Sequence, residues 1–83
     1  MKEIFQTVFS PCNGIVEKVF VNESSYVYEW ETLFLIRTSE ETEEISIGVS
    51  GSIISVEIAE GQEVYPETVL LTVRDDLRIT GSD

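Results

Sequence analysis

The feature that most constrains this chain is that it contains one unit twice, 37 residues apart. Slid by that distance, GIVEKVFVNESSYVYEWETLFLIR (14–37) falls on GSIISVEIAEGQEVYPETVLLTVR (51–74) without a gap. Seven of the 24 aligned positions are identical: Gly14/Gly51, Val19/Val56, Glu23/Glu60, Val27/Val64, Tyr28/Tyr65, Leu33/Leu70 and Arg37/Arg74. The apolar positions match as well, with Val16, Val21 and Ile36 meeting Ile53, Ile58 and Val73. Two copies are too few for a solenoid. Facing each other about a pseudo-twofold axis, they can bury apolar faces that neither copy can bury alone.

Each copy has the same internal order. An opening glycine starts a run of about eight residues with β-branched side chains at alternate positions, the pattern of a half-buried strand. A polar turn follows, NESS or AEGQ, then a short extended piece, YVY or EVY, then a closing strand, TLFLIR or VLLTVR. Gly61 suits a positive φ in the second copy's turn. The first copy has Ser24 there, so its turn must differ or be strained. Extended stretches precede both copies, EIFQTVFSPCN and EEISIGVS. No window shows a helical stripe over three turns. The expected fold is all-β: about eight short antiparallel strands closing on one core as a flattened barrel or sandwich. The last stretch, DDLRITGSD, reads as polar and frayed. The domain is therefore expected to span residues 1–75, with a flexible tail at 76–83.

A chain of 83 residues makes one domain and buries only ~60% of its unfolded surface. Covalent and metal supports are missing. Cys12 has no partner for an internal disulfide, and there is no histidine or second cysteine for a zinc site. The core must hold the fold. Sixteen acids against five bases give a net charge of −11. That field repels nucleic acid and anionic membrane surfaces. It keeps a small domain soluble and monomeric, or attracts a basic protein surface. The first residues lack a signal peptide's apolar core and cleavage site, and no apolar run approaches the ~20 residues of a membrane span. These features predict a cytoplasmic protein.

From Val8 to Val73 the chain resembles the biotinyl/lipoyl-attachment domain family. SPCNGIVEKVFVNESSYVYEWETLFLI is similar to the family's first half, in which Ala/Ser-Pro-x-x-Gly leads into a strand, a Gly-Asp-x-Val turn and a Gly-x-x-Leu turn. GSIISVEIAEGQEVYPETVLLTV is similar to the second half. The resemblance implies a barrel-sandwich hybrid with a modifiable lysine at the tip of the central hairpin. In biotin carriers that lysine sits in an Ala-Met-Lys-Met turn, at a spacing from the glycine matched by Gly51 that falls here on Glu40. The flanking methionines fall on Ser39 and Glu41. A carboxylate cannot form the amide that holds biotin or lipoate. The lysines present are Lys2 and Lys18, neither in the tip stretch. Ser24, Trp30 and Glu67 stand where the family has turn glycines.

The stretch RTSEETEEIS (37–46) therefore reads as an acidic hairpin tip. Neighbouring carboxylates ~6 Å apart repel by only about 0.7 kcal/mol in bulk water, so an exposed turn tolerates Glu40, Glu41, Glu43 and Glu44. A buried one would not. The tip reads as a solvated hairpin that has lost its modification site, a docking knob for a basic surface, or a weak cation site; SEETEE lacks the glycine and alternating aspartates of a calcium loop, so no specific metal is expected. Cys12 has no histidine to activate it and reads as a thiol in a turn, with Asn13-Gly14 completing that turn. Trp30 reads as core or rim packing, with a partner contact as the alternative. No catalytic constellation is present. The expectation is a non-enzymatic module that carries no cofactor. It would bind a basic partner through Glu40, Glu41, Glu43 and Glu44, and through Trp30 if that ring is exposed. The alternatives are a carrier acylated at an atypical lysine, or an adaptor-like piece of a secretion or membrane-fusion assembly.

Overall fold

The alternating runs form strands, and the polar punctuation between them forms turns. The computed structural model describes residues 3–75. In chain order the strands are β1 (Ile4–Phe9), β2 (Gly14–Val19), β3 (Tyr26–Val27), β4 (Phe34–Arg37), β5 (Thr42–Ile45), β6 (Gly51–Val56), β7 (Glu63–Val64) and β8 (Val69–Asp75). They make two four-stranded antiparallel sheets, ordered β1-β8-β6-β3 and β5-β4-β2-β7. The two sheets form a flattened sandwich, and no helix among the described residues is long and apolar enough to cross a membrane.

The shift of 37 that aligns the sequence also carries one sheet onto the other. β1, β8, β6 and β3 map onto β5, β4, β2 and β7 in the same order. Local irregularities follow the same mapping. The ladder of β2 on β4 slips between Val16 and Lys18, and that of β6 on β8 between Ile53 and Ser55. Turn bonds match too: Phe20 N–H donates to the Leu33 carbonyl and Glu57 N–H to that of Leu70. The copies are interleaved rather than side by side. β3 of the first copy pairs with β6 of the second, and β7 of the second with β2 of the first. Neither copy can complete a sheet without the other.

The core repeats the pattern residue by residue. Fourteen buried apolar residues fill the space between the sheets. They are seven pairs related by the shift: Val8/Ile45, Val16/Ile53, Val21/Ile58, Val27/Val64, Leu33/Leu70, Phe34/Leu71 and Ile36/Val73. Burying such a side chain stabilises by about 1.5–3 kcal/mol, and this core has no disulfide beside it.

Gly14 opens β2, as expected of the first copy's opening glycine, although Asn13-Gly14 was also expected to complete a turn. A Cβ there would lie 2.6 Å from the Arg37 carbonyl oxygen, and one at Gly51 would run into that of Arg74. Both glycines are therefore required by close backbone approach. The opening strands are also shorter than the eight residues expected, ending at Val19 and Val56. The turns after them keep one geometry in both copies, so Ser24 carries strain instead of a different turn. It has φ 75°, against 90° for Gly61. The second turn repeats this, with Trp30 at 65° and Glu67 at 75°. Side chains cap the turns at matched places: Glu31 Oε1 accepts from Tyr28 N–H and Thr68 Oγ1 from Tyr65 N–H, both at 2.9 Å. At the end of the described residues, Asp75 is not frayed. It belongs to β8, level with Ile4 and Gly51. The tail expected at 76–83 lies outside the described residues.

Candidate functional site

The acidic tip is the loop between β4 and β5. Arg37 pairs with Thr42 at the last rung of the ladder. One step further, Thr38 N–H donates to the Glu41 carbonyl at 2.8 Å, leaving Ser39 and Glu40 as the apical residues. The Thr38 hydroxyl organises the loop. It donates to the Glu41 carbonyl at 2.8 Å and accepts from the amides of Glu40 (3.2 Å) and Glu41 (3.0 Å). A serine or threonine that satisfies its own turn is a common way to close a tight loop without glycine, and neither apical residue has a positive φ.

The four glutamates are not equivalent. Glu40, Glu41 and Glu44 are exposed. Glu43 is partly buried, so the expectation of a fully exposed set needs correction. The reason is strand alternation: Ile45 points into the core, and Glu43, two residues earlier, points the same way at the open end of the sandwich. There its protonated form is favoured by a hydrogen bond to the Glu41 carboxyl. That bond, the Glu41 charge and partial burial together raise its pKa above the usual carboxylate range. Glu44 points outward, opposite Leu35, and its Oε1 accepts from the Thr32 hydroxyl at 3.4 Å. The charges thus run as a stripe down the hairpin rather than as one cluster.

Cys12 lies under this end. Burial raises its thiol pKa, and the Glu43 charge raises it further against an opposing hydrogen bond from Ser10. The thiol therefore stays protonated at neutral pH and is not primed as a nucleophile. The residue 37 positions on is Val49, and both pack against the core from its rim. Cys12 serves as a small apolar side chain.

Trp30 is not beside Glu40. Its backbone N–H donates to the Ile47 carbonyl at 2.7 Å, which places it at the end of the hairpin away from the apex, roughly 20 Å along a strand-like path. The residue is 70% exposed, so core packing is ruled out. One edge rests on Gly48, where an added Cβ would come within 2.9 Å of Cζ2. Tyr26 and Tyr28 pack edge to face nearby in sequence, 5.1 Å between centroids. Lys18 lies in β2, level with Leu35 and away from the apex, and Lys2 is outside the described residues.

Sequence reasoning missed a recess beside the tip. It is open, about 360 Å³, and Asn13, Ile15, Arg37, Ser39 and Glu63 line it. Thr42, Arg37, Ile15 and Glu63 form one row across four strands. The identity of Arg37 with Arg74 was the available signal. The row itself depends on β7 crossing to β2, which the sequence does not announce. Among the described residues, no three acidic, cysteine or histidine side chains are grouped to hold a metal ion.

No family model matches the sequence, and no curated protein matches it significantly. Among solved structures, a single-chain, multi-domain long-chain acyl-CoA carboxylase is similar, with a TM-score of 0.81 over 89% of this chain at 16% identity. The match spans 7% of that protein. At this identity the likeness shows the fold alone, a flattened all-β sandwich.

Proposed function

We propose that this chain is a biotinyl-like module that carries no cofactor at its hairpin apex and uses the acidic hairpin to dock on a basic protein surface. The observation that carries this reading is Glu40 at the apex of the β4–β5 loop, where the resembled family displays its lysine. An amide to biotin or lipoate needs an amine nucleophile. Glu40 has none, and Lys18 is held in a strand. The module has no catalytic role in this reading and works in the cytoplasm. Glu40 and Glu41 meet the partner first, Glu44 extends the contact down the hairpin, and Trp30 is an apolar anchor for a partner large enough to reach both ends. Recognition of this kind is dominated by steering and weakens with salt.

Two measurements test it. Co-produced with a biotin ligase, the protein should keep its unmodified mass, while a variant with Ser39→Met, Glu40→Lys and Glu41→Met should gain biotin. Biotin on the unaltered chain would overturn the carrier-free reading. Titrated with a lysine-rich peptide at low salt, the amide resonances of residues 38–44 should shift most. Changing Glu40, Glu41, Glu43 and Glu44 to Gln should abolish those shifts and leave the circular dichroism unchanged. Shifts spread evenly over the surface would refute the hairpin as a docking element.

A further inference from the structure

Among the described residues, β1 is a bare sheet edge. It approaches no strand but β8 among the described residues, so its other side offers unpaired backbone groups. Its sequence is IFQTVF, with no charge and no proline, and no charged residue occurs from Ile4 to Val16. Ile4, Phe5 and Phe9 are exposed at 41%, 52% and 51%. The other three edges are protected. β5 holds the equivalent place in the second sheet and carries Glu43 and Glu44. β3 and β7 are two residues long.

We propose that β1 pairs antiparallel with β1 of a second copy of this chain, joining two four-stranded sheets into one across a twofold axis at Thr7. Charge decides the occupant. A basic strand would be drawn to the glutamates of β5, whereas β1 suits a neutral strand. The neutral, self-complementary strand at hand is β1 itself. Val8 faces the core, so Phe5, Thr7 and Phe9 face outward together. An axis at Thr7 keeps outward side chains on one face, setting Phe5 opposite Phe9 of the second copy and Thr7 opposite its equivalent. Aromatic pairs and threonine pairs are both favourable across strands. The register slip near Phe9 comes from an extra residue in β8, Leu70, which leaves β1 regular. Because one edge is bare, the pairing closes at two copies and does not propagate.

The net charge of −11 on each copy opposes this contact, so the monomer expected from charge prevails at low salt and the dimer grows as salt screens the field. That dependence is opposite to the one proposed for the acidic hairpin, so the two ideas fail separately. Sedimentation equilibrium over a range of salt should show monomer passing to dimer and no further. Thr7→Lys, at an exposed position, should weaken dimerisation about tenfold by placing like charges across the axis, even though it lowers the net negative charge. The four-glutamine hairpin variant should still dimerise. Independently of any variant, amide hydrogen exchange within β1 should slow as protein concentration rises at high salt. A chain monomeric at every salt, assembly beyond two copies, equal association by Thr7→Lys, or β1 exchange indifferent to concentration would each overturn the proposal.

Discussion

β1 and β5 hold the same place in their two sheets, yet one reads IFQTVF and the other TEEI. Their single buried residues, Val8 and Ile45, are equivalent, while their exposed positions have nothing in common. The same division runs through the whole molecule. Buried core positions occur in matched apolar pairs because both sheets pack on one shared core and must fill it from both sides. Outward positions answer only to solvent and partners, so one edge acquired glutamates and the other phenylalanines. The connections at the two ends differ for a similar reason. Thr38 and Glu41 close a loop where the equivalent Asp75 and Ile4 are simply neighbours near the chain ends.

The sharpest way to break this comparison is inside the core. Phe34→Ala and Leu71→Ala remove equivalent side chains, both fully buried. They should cost about 3–5 and 2–5 kcal/mol respectively. That is comparable with the total stability of about 4–12 kcal/mol expected for a domain this size. Urea unfolding should show both variants losing most of their cooperative transition. If one is tolerated and the other not, the two halves do not share the core equally.

The turns give a smaller effect. Ser24 and Glu67 hold a left-handed conformation that disfavours a side chain, and Gly61 holds it freely. Ser24→Gly and Glu67→Gly should each raise stability by about 0.5–1 kcal/mol, the relief of strain less the chain entropy of glycine. Gly61→Ala should lower it by about 1 kcal/mol. The expected signature is a shift in denaturant midpoint at constant slope. A loss on Ser24→Gly would mean that the side chain makes up for its strained backbone.

The smallest effect sharpens the difference at the sandwich ends. Glu43 is equivalent to Gln6, and its raised pKa arises from the hydrogen bond and charge of Glu41, which is equivalent to Ile4. The folded chain therefore holds this proton more tightly than the unfolded chain. Its contribution to stability is complete below the unfolded glutamate pKa and is lost as pH rises through the higher folded value. Glu43→Gln should flatten the fall in stability over that interval, seen as urea midpoints across a pH series. An unaltered profile would show that the two carboxyls do not share a proton.

Several features were legible from residues alone. The shift of 37, read with the alternation of Val, Ile and Leu, identified the copies, most of the core and the class of fold, whereas Glu40 was expected at the tip only through the spacing of the resembled family. Alternation reports burial directly, because a strand that buries one face must place apolar side chains at every second position. Tertiary structure alone decided which copy each short strand joins, since β3 and β7 are two residues long and carry too little pattern to name β6 and β2 as partners. It also set Trp30 apart from the apex, turned Glu43 inward, built the recess of Arg37 and Glu63, and left β1 without a second neighbouring strand among the described residues. Each of these depends on contacts between residues distant in the chain, whose free energy is decided only when both sheets close on the same core.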